Sequence, residues 1–124
     1  MSKLPIIARI LLGLIFLVFG LNGFLNFLPT PPMPEAAGSF AGALAATGYM
    51  FPLIKLIEVI VGILLLANKF VPLALLLLAP ITVNILLFHA VLAPTGLPLP
   101  IVILMLHLYL ARTYSSVYKP LLTA

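Results

Sequence analysis

The chain has 124 residues, of which 65% are hydrophobic and only 6% are charged, and its formal net charge is +4. Soluble domains carry about 25% charged residues, so a chain this poor in charge needs lipid as its solvent. The absence of cysteine excludes disulfides, thiol relays, iron–sulfur clusters and thiolate zinc sites, and six dispersed cations form no nucleic-acid-binding patch. We therefore predict an integral membrane protein with no nucleic-acid partner.

The first predicted span covers residues 5–28. Pro5 suits the first turn of a helix because its missing N–H would be unpaired there, and the proline-rich segment 29–34 cannot continue the helix. The small-residue segment 35–46 predicts a further helix, which starts after Pro34 and stops before Gly48. This helix is too short and too weakly apolar to span, so we expect it to be interfacial or re-entrant.

The remaining spans are predicted at residues 50–68, 70–92 and 98–118. Asn68 and Lys69 form a tight turn between the second and third spans. Pro80 lies inside the third span and should kink it, because proline removes a backbone hydrogen bond. Tyr114 and Tyr118 suit interfacial anchors at the end of the fourth span. The predicted fold is all-α, a four-transmembrane-helix bundle forming a single domain over residues 1–124.

The cations predict the orientation of this bundle. Two loops contain no lysine or arginine, whereas the two termini and the remaining turn carry five of the six cations: Lys3, Arg9, Lys69, Arg112 and Lys119. Positive residues concentrate on the cytoplasmic side of membrane proteins. We therefore expect both termini and the Lys69 turn to be cytoplasmic.

Polar residues inside the spans fall at similar heights when a rise of 1.5 Å per residue is counted from the inner boundary. The group that we call the polar slab lies roughly 16 to 25 Å above that boundary. Its members are Asn22, Asn26, Lys55, Glu58, Asn84 and His107. Polar groups at such depth are costly against lipid, so we predict that the polar slab faces inward and lines one ligand pocket. His89 lies higher, at about 30 Å, and is a further candidate ligand residue.

Spacing within the helices supports this hypothesis. Lys55 and Glu58 are separated by three positions and can form an ion pair, and Glu58 is the candidate catalytic residue because intramembrane carboxylates commonly mark functional sites. Gly62 lies one turn further and permits a close approach of two helices. A structural interpretation stays open for each polar residue. The asparagines and His107 would form hydrogen bonds within the bundle, and His89 would lie at the outer interface. Lys55 would extend to the outer surface, or would form a neutralised couple with Glu58.

No spacing of residues signals a metal site. The two histidines differ in predicted depth by about 14 Å, which is too much for a bis-histidine haem. There is no aspartate, no phosphate-binding loop and no nucleophile elbow in the sequence.

Four segments resemble the DoxX family of small bacterial membrane proteins: RILLGLIF at residues 9–16, GLNGF at 20–24, LIEVIVGILL at 56–65 and PITVNILLFH at 80–89. The resemblance covers nearly the whole chain. It implies a four-helix bundle in the bacterial cytoplasmic (inner) membrane, and it maps the family's polar residues onto Arg9, Glu58 and His89. Family members are associated with thiosulfate:quinone oxidoreductase subunits, with oxidative and thiol stress complexes, and with quinone-stress responses. Some relatives carry cysteines that are missing here, which argues against direct thiol chemistry.

The first functional hypothesis is an accessory or small subunit of a quinone-linked oxidoreductase system. The pocket would bind a quinone-like or other lipophilic molecule through Asn22, Asn84 and a histidine, while Glu58 would move protons. Electrons would come from a partner protein, because no residue here can hold a flavin or haem. The alternatives are a non-enzymatic assembly factor or chaperone, a lipid-binding protein, and a small permease. A homo-oligomer is also open, and the sequence does not decide whether any reaction occurs.

Overall fold

The computed structural model describes residues 3–29 and 32–124, and every regular element in this part of the chain is helical. Residues 30 and 31 of the predicted proline-rich segment, like residues 1 and 2, lie outside the described residues. The α-helices, in chain order, are α1 Leu4–Leu25, α2 Glu35–Ala46, α3 Met50–Ala67, α4 Val71–Leu87, α5 Pro98–Thr113 and α6 Ser115–Tyr118. A π-helical turn at Phe88–Leu92 extends α4, and 3-10 turns lie at Pro94–Gly96 and Lys119–Leu122. The all-α prediction is confirmed.

Three helices are long and apolar enough to cross a membrane: Leu4–Leu25, Met50–Ala67, and Val71–Leu92 including the π-helical turn. A fourth span is available if α5 and the chain after it are counted as one, although the two parts meet at an angle of 74°. The protein is therefore a multi-pass membrane protein with three to four apolar helices. Its surface agrees, because large apolar side chains such as Leu77 and Ile63 are about half exposed and need lipid to cover them.

The four long helices pack in a closed ring, in which α1 contacts α3 and α5, and α4 contacts the same two helices. Their inward side chains form one apolar core, which includes Leu12, Phe16, Leu65, Leu78 and Leu110. Arg9 joins α1 to the end of α3, since its guanidinium donates to the carbonyls of Leu65 and Leu66. A cation is favourable at this position, because the carbonyl groups at the C-terminal end of a helix carry partial negative charge.

Glycines bring α1 and α3 into backbone contact. A Cβ on Gly62 would lie 2.7 Å from the nitrogen of Leu17 and 2.9 Å from the carbonyl oxygen of Gly13. A Cβ on Gly20 would lie 2.9 Å from the nitrogen of Val59. These distances are too short for any side chain, so the glycines set how closely the two helices approach. Gly62 lies where the sequence predicted a close approach.

Two helix ends differ from the predicted bounds. The first span was predicted to reach residue 28, but α1 ends at Leu25 because Asn26 adopts a left-handed conformation with φ of 52°. The fourth was predicted to reach residue 118, but α5 ends at Thr113 and the chain bends there. The hydroxyl of Tyr118 donates to the carbonyl of Pro72 at 2.6 Å, which holds α6 against the start of α4. Apolar composition alone signals neither end.

The helix predicted between the first two spans is present as α2. It packs against α3 and the π-helical turn, where the Phe40 and Phe88 ring centroids are 5.8 Å apart. A Cβ added to Gly38 or Gly42 of α2 would meet nothing within 4 Å, so these two glycines make no helix contact. The segment thus lies at the end of the bundle opposite Arg9.

Candidate functional site

The predicted site residues lie in separate places and do not line one shared pocket. Lys55 and Glu58 lie between α3 and α1, and His107 lies between α5 and α4. His89 lies in the π-helical turn beside the loop that precedes α5. His107 lines one cavity and His89 lines another, and Glu58 lines neither of these.

Glu58 is a buried carboxylate on α3 with one polar partner. Its Oε1 atom accepts a hydrogen bond from Lys55 Nζ at 3.3 Å, which confirms the predicted ion pair. The two side chains differ in environment, since 4% of Glu58 but 24% of Lys55 is exposed. Gly23 of α1 makes room for the Lys55 stem, because a Cβ there would lie 2.6 Å from Lys55 Cδ. Gly23 thus adds to the close contact that Gly20 and Gly62 make between α1 and α3.

His107 is a bonded core residue that joins α5 to α4. Its Nε2 atom lies 3.0 Å from the carbonyl oxygen of Leu75, and its Nδ1 atom lies 2.9 Å from the hydroxyl of Thr82. A carbonyl only accepts, so Nε2 carries the proton, and the Thr82 hydroxyl can then donate to Nδ1. Both ring nitrogens are occupied, which leaves the adjoining cavity of about 240 Å³ with almost wholly apolar walls.

His89 has one occupied and one free ring nitrogen. Its Nδ1 atom lies 2.9 Å from the carbonyl oxygen of Ile85, so Nδ1 donates, and Nε2 is an acceptor whenever the ring carries a single proton. Nε2 has no hydrogen-bond partner in the described part of the chain. Single π-helical turns within α-helices are frequent at functional sites.

The cavity beside His89, which we call the His89 cavity, has a volume of about 280 Å³. It is lined by Pro32, Met33, Pro34, Phe88, His89, Ala93, Thr95 and Gly96. Gly96 is required for this arrangement, because a Cβ there would lie 2.7 Å from Cδ2 and 3.3 Å from Nε2 of His89. The walls combine an apolar surface with the His89 acceptor and the polar groups of the loop. This combination is typical of small-molecule sites.

The three asparagines have different environments. Asn22 Oδ1 accepts a hydrogen bond from the backbone nitrogen of Leu28 at 2.7 Å, so its side chain secures the chain where it leaves α1. Asn26 is exposed and ends α1 in its left-handed conformation. Asn84 is exposed on α4, and its side chain has no partner among the described residues. None of them lines either cavity.

A sequence profile of the DoxX family matches residues 4–90, which is more than half of the chain. The chain belongs to the DoxX family. No match was found among curated proteins, and none among solved structures. The match spans α1 to α4 and includes Arg9, Glu58 and His89, whereas His107 and α5 lie beyond it.

Within this DoxX protein, the three residues that the resemblance singled out make three different kinds of contact. Arg9 binds the carbonyls at the end of α3, Glu58 pairs with Lys55, and His89 lines a cavity with one ring nitrogen bonded to Ile85. Only His89 therefore combines a free polar atom with space for a ligand. In residues 3–29 and 32–124 no group of three His, Cys, Asp or Glu side chains could hold a metal ion.

Sequence reasoning missed two kinds of residue. Thr82 gave no signal, because a threonine within an apolar helix ordinarily bonds to its own backbone. Met33, Thr95 and Gly96 lie in loops that were interpreted only as turns. A glycine that follows Pro94 and Thr95 is a common turn signal. The same glycine also leaves room for the His89 ring, and that contact forms only in the folded chain.

Proposed function

We propose that this DoxX-family protein is a membrane-embedded accessory subunit of a quinone-linked redox system, and that the His89 cavity binds the head group of a quinone-like lipid. The observation that carries the proposal is the free Nε2 atom of His89, held in place by the bond from Nδ1 to Ile85. A fixed acceptor at the edge of an apolar cavity is suited to a ring hydroxyl, such as that of a quinol.

The dimensions of the cavity support a single-ring head group. Sites for drug-sized ligands occupy about 300–1,000 Å³, and the His89 cavity, at about 280 Å³, lies just below that range. One substituted ring would fit, with an isoprenoid tail outside among the lipids. Phe88, Met33 and the prolines supply the apolar contact that such a ring needs.

The chain's own residues would bind and orient the ring and accept a hydrogen bond at His89 Nε2. Electron transfer would be supplied by a partner protein that carries the redox cofactor. Glu58 does not line the cavity. If Glu58 exchanges protons with this ligand, the protons must pass through other groups between them. The ion pair with Lys55 favours a structural contribution from Glu58.

The proposal is tested by ligand binding to the protein purified in mild detergent. A short-chain benzoquinol is titrated into the wild type, His89→Phe and Glu58→Gln, and quinones that co-purify are quantified by mass spectrometry. His89→Phe keeps an aromatic ring but removes the acceptor, so we expect the Kd to rise about tenfold, as for the loss of one hydrogen bond. Glu58→Gln should keep the wild-type Kd in the fraction that folds.

Two control measurements sharpen this test. Gly96→Val would fill the space beside Nε2 and should abolish quinol binding. Gly42 faces open space on α2, so Gly42→Ala should leave the Kd for quinol unchanged. Equal binding by wild type and His89→Phe would contradict the proposal. Loss of ligand only in Glu58→Gln would move the site to the Lys55–Glu58 pair, and bulk phospholipid alone in every sample would favour an assembly factor.

A further inference from the structure

Asn84 is a polar side chain on the outer face of a membrane helix. It is exposed, it lies inside α4, and its amide has no hydrogen-bond partner in the described part of the chain. The helical rise from Val71 to Asn84 is about 20 Å, so the amide lies within a hydrocarbon core of about 30 Å. Lipid tails offer neither donors nor acceptors, and such a group is expected to find a protein partner.

The residues around Asn84 form a regular stripe along the exposed face of α4. The α4 stripe consists of Leu73, Leu77, Pro80, Asn84 and Leu87, all exposed, and the exposed Leu76 and Val83 flank it on one side. Their separations of four, three, four and three positions are those of a coiled-coil seam. Pro80 also leaves the carbonyl of Leu76 without an α-helical donor, which adds an acceptor near this face. In coiled coils, one asparagine within such a seam specifies pairing and register.

We propose that the α4 stripe is the contact surface of a symmetric homodimer, in which the Asn84 side chains of two copies hydrogen-bond to each other. A two-fold axis brings a residue opposite its own copy. A carboxamide suits this position because it both donates and accepts, so two identical amides are complementary. The homodimer does not depend on the His89 cavity, whose lining residues belong to the π-helical turn and the loops.

Disulfide crosslinking tests the surface directly, since the natural chain contains no cysteine. Leu77→Cys places a thiol on the α4 stripe, and Ile63→Cys places one at a similar height on α3. The two positions are matched in exposure, at 48% for Leu77 and 50% for Ile63. After reconstitution at low protein density and mild oxidation, Leu77→Cys should give a dimer several times faster than Ile63→Cys.

Variants of Asn84 test the polar contact. Pairs of interhelical hydrogen bonds in membranes change association by roughly 3- to 30-fold, and Asn84→Leu should raise the dimer dissociation constant by that factor. The measurement is energy transfer between donor- and acceptor-labelled copies as the lipid-to-protein ratio is varied. Asn84→Gln keeps an amide and should retain most of the association. Because Asn84 is exposed and unbonded within one copy, both variants should unfold at the wild-type temperature at high dilution.

The proposal is overturned if Leu77→Cys and Ile63→Cys crosslink at equal rates. It is equally overturned if Asn84→Leu associates as strongly as the wild type, or if the wild type stays monomeric at all densities. Loss of quinol binding in His89→Phe with an unchanged dimer would show that the homodimer does not depend on the proposed quinol site.

Discussion

The Lys55–Glu58 pair joins two charges whose surroundings differ. Glu58 is buried, whereas about a quarter of the Lys55 side chain remains exposed. A lysine with a long apolar stem can turn its ammonium group toward an interface, but a buried carboxylate on a short side chain cannot. The stability of the pair should therefore depend unequally on its two members.

We expect Lys55→Met to destabilise the protein by about 3 kcal/mol, because it leaves a buried carboxylate without a counter-charge. Glu58→Gln should cost less, about 1 kcal/mol, since Lys55 can reach the interface. The double variant should recover most of the loss, because it leaves no unpaired charge. Unfolding by SDS titration, followed by far-UV circular dichroism, measures all three differences.

Strictly additive losses in the double variant would contradict this interpretation of the pair. A Glu58→Gln protein with wild-type stability but no quinone-linked activity in the membrane would restore the catalytic hypothesis for Glu58. The activity is compared only for variants whose stability has been measured, so a folding defect cannot be mistaken for a catalytic one.

At the scale of helices, some glycines lie against a neighbouring helix and others face open space. Gly62 faces the backbone of α1, and any Cβ must push the two helices apart. Gly42 faces open space on α2. The two glycines provide a matched comparison of the same substitution in a helix, with and without a neighbour.

Gly62→Ala should lower the free energy of unfolding by about 1–3 kcal/mol, as for overpacked cores. Gly42→Ala should be neutral or stabilising by up to about 1 kcal/mol, because alanine is the better helix former. The same SDS titration serves for both. Equal effects of the two substitutions would mean that the α1–α3 contact does not require glycine.

α4 and α5 are joined by a different kind of contact. His107 bonds to Thr82 and Leu75 of α4 through its two ring nitrogens. Hydrogen bonds between helices fix rotation and register in a bundle where lipid and core side chains are equally apolar. The α1–α3 pair is thus held by close backbone approach, and the α4–α5 pair by a histidine.

At the scale of the whole molecule, every cation except Lys55 lies toward one end of the bundle. Arg9 contacts the end of α3 next to the Lys69 turn, and Tyr118, beside Lys119, contacts Pro72. α2, which begins at Glu35, packs at the opposite end, against the π-helical turn. We propose, from the positive-inside rule, that the Arg9 end lies on the cytoplasmic side of the membrane.

Cysteine accessibility tests this orientation and the number of spans together. In intact cells, a membrane-impermeant maleimide should label Ser39→Cys on α2, and it should label Thr123→Cys only after permeabilisation. Labelling of both positions in intact cells would mean three spans, with the bent pair of α5 and α6 on the outer side. Labelling of Thr123→Cys alone would reverse the orientation.

The sequence by itself determined the class of protein, its helical content and the positions of most helices. These features are local: a run of apolar residues sets where a helix crosses lipid, and prolines set where it stops. The contact between Lys55 and Glu58 is local too, since three positions along a helix bring two side chains to one face. Counting residues along each helix also predicted the height of each polar residue in the membrane, and it placed His89 and His107 at different heights.

Only the tertiary structure decided which way each polar residue faces and what it contacts. A soluble helix reveals its buried face by an apolar stripe, but α4 is apolar on every side because both core and lipid are apolar, so its sequence carries little directional signal. The structure accordingly places Asn84 outside, His107 against Thr82, and His89 at a cavity closed by residues 32–34 and 93–96. Equal height in the membrane did not bring the polar slab into one pocket, because rotation about each helix axis is set by packing with its neighbours.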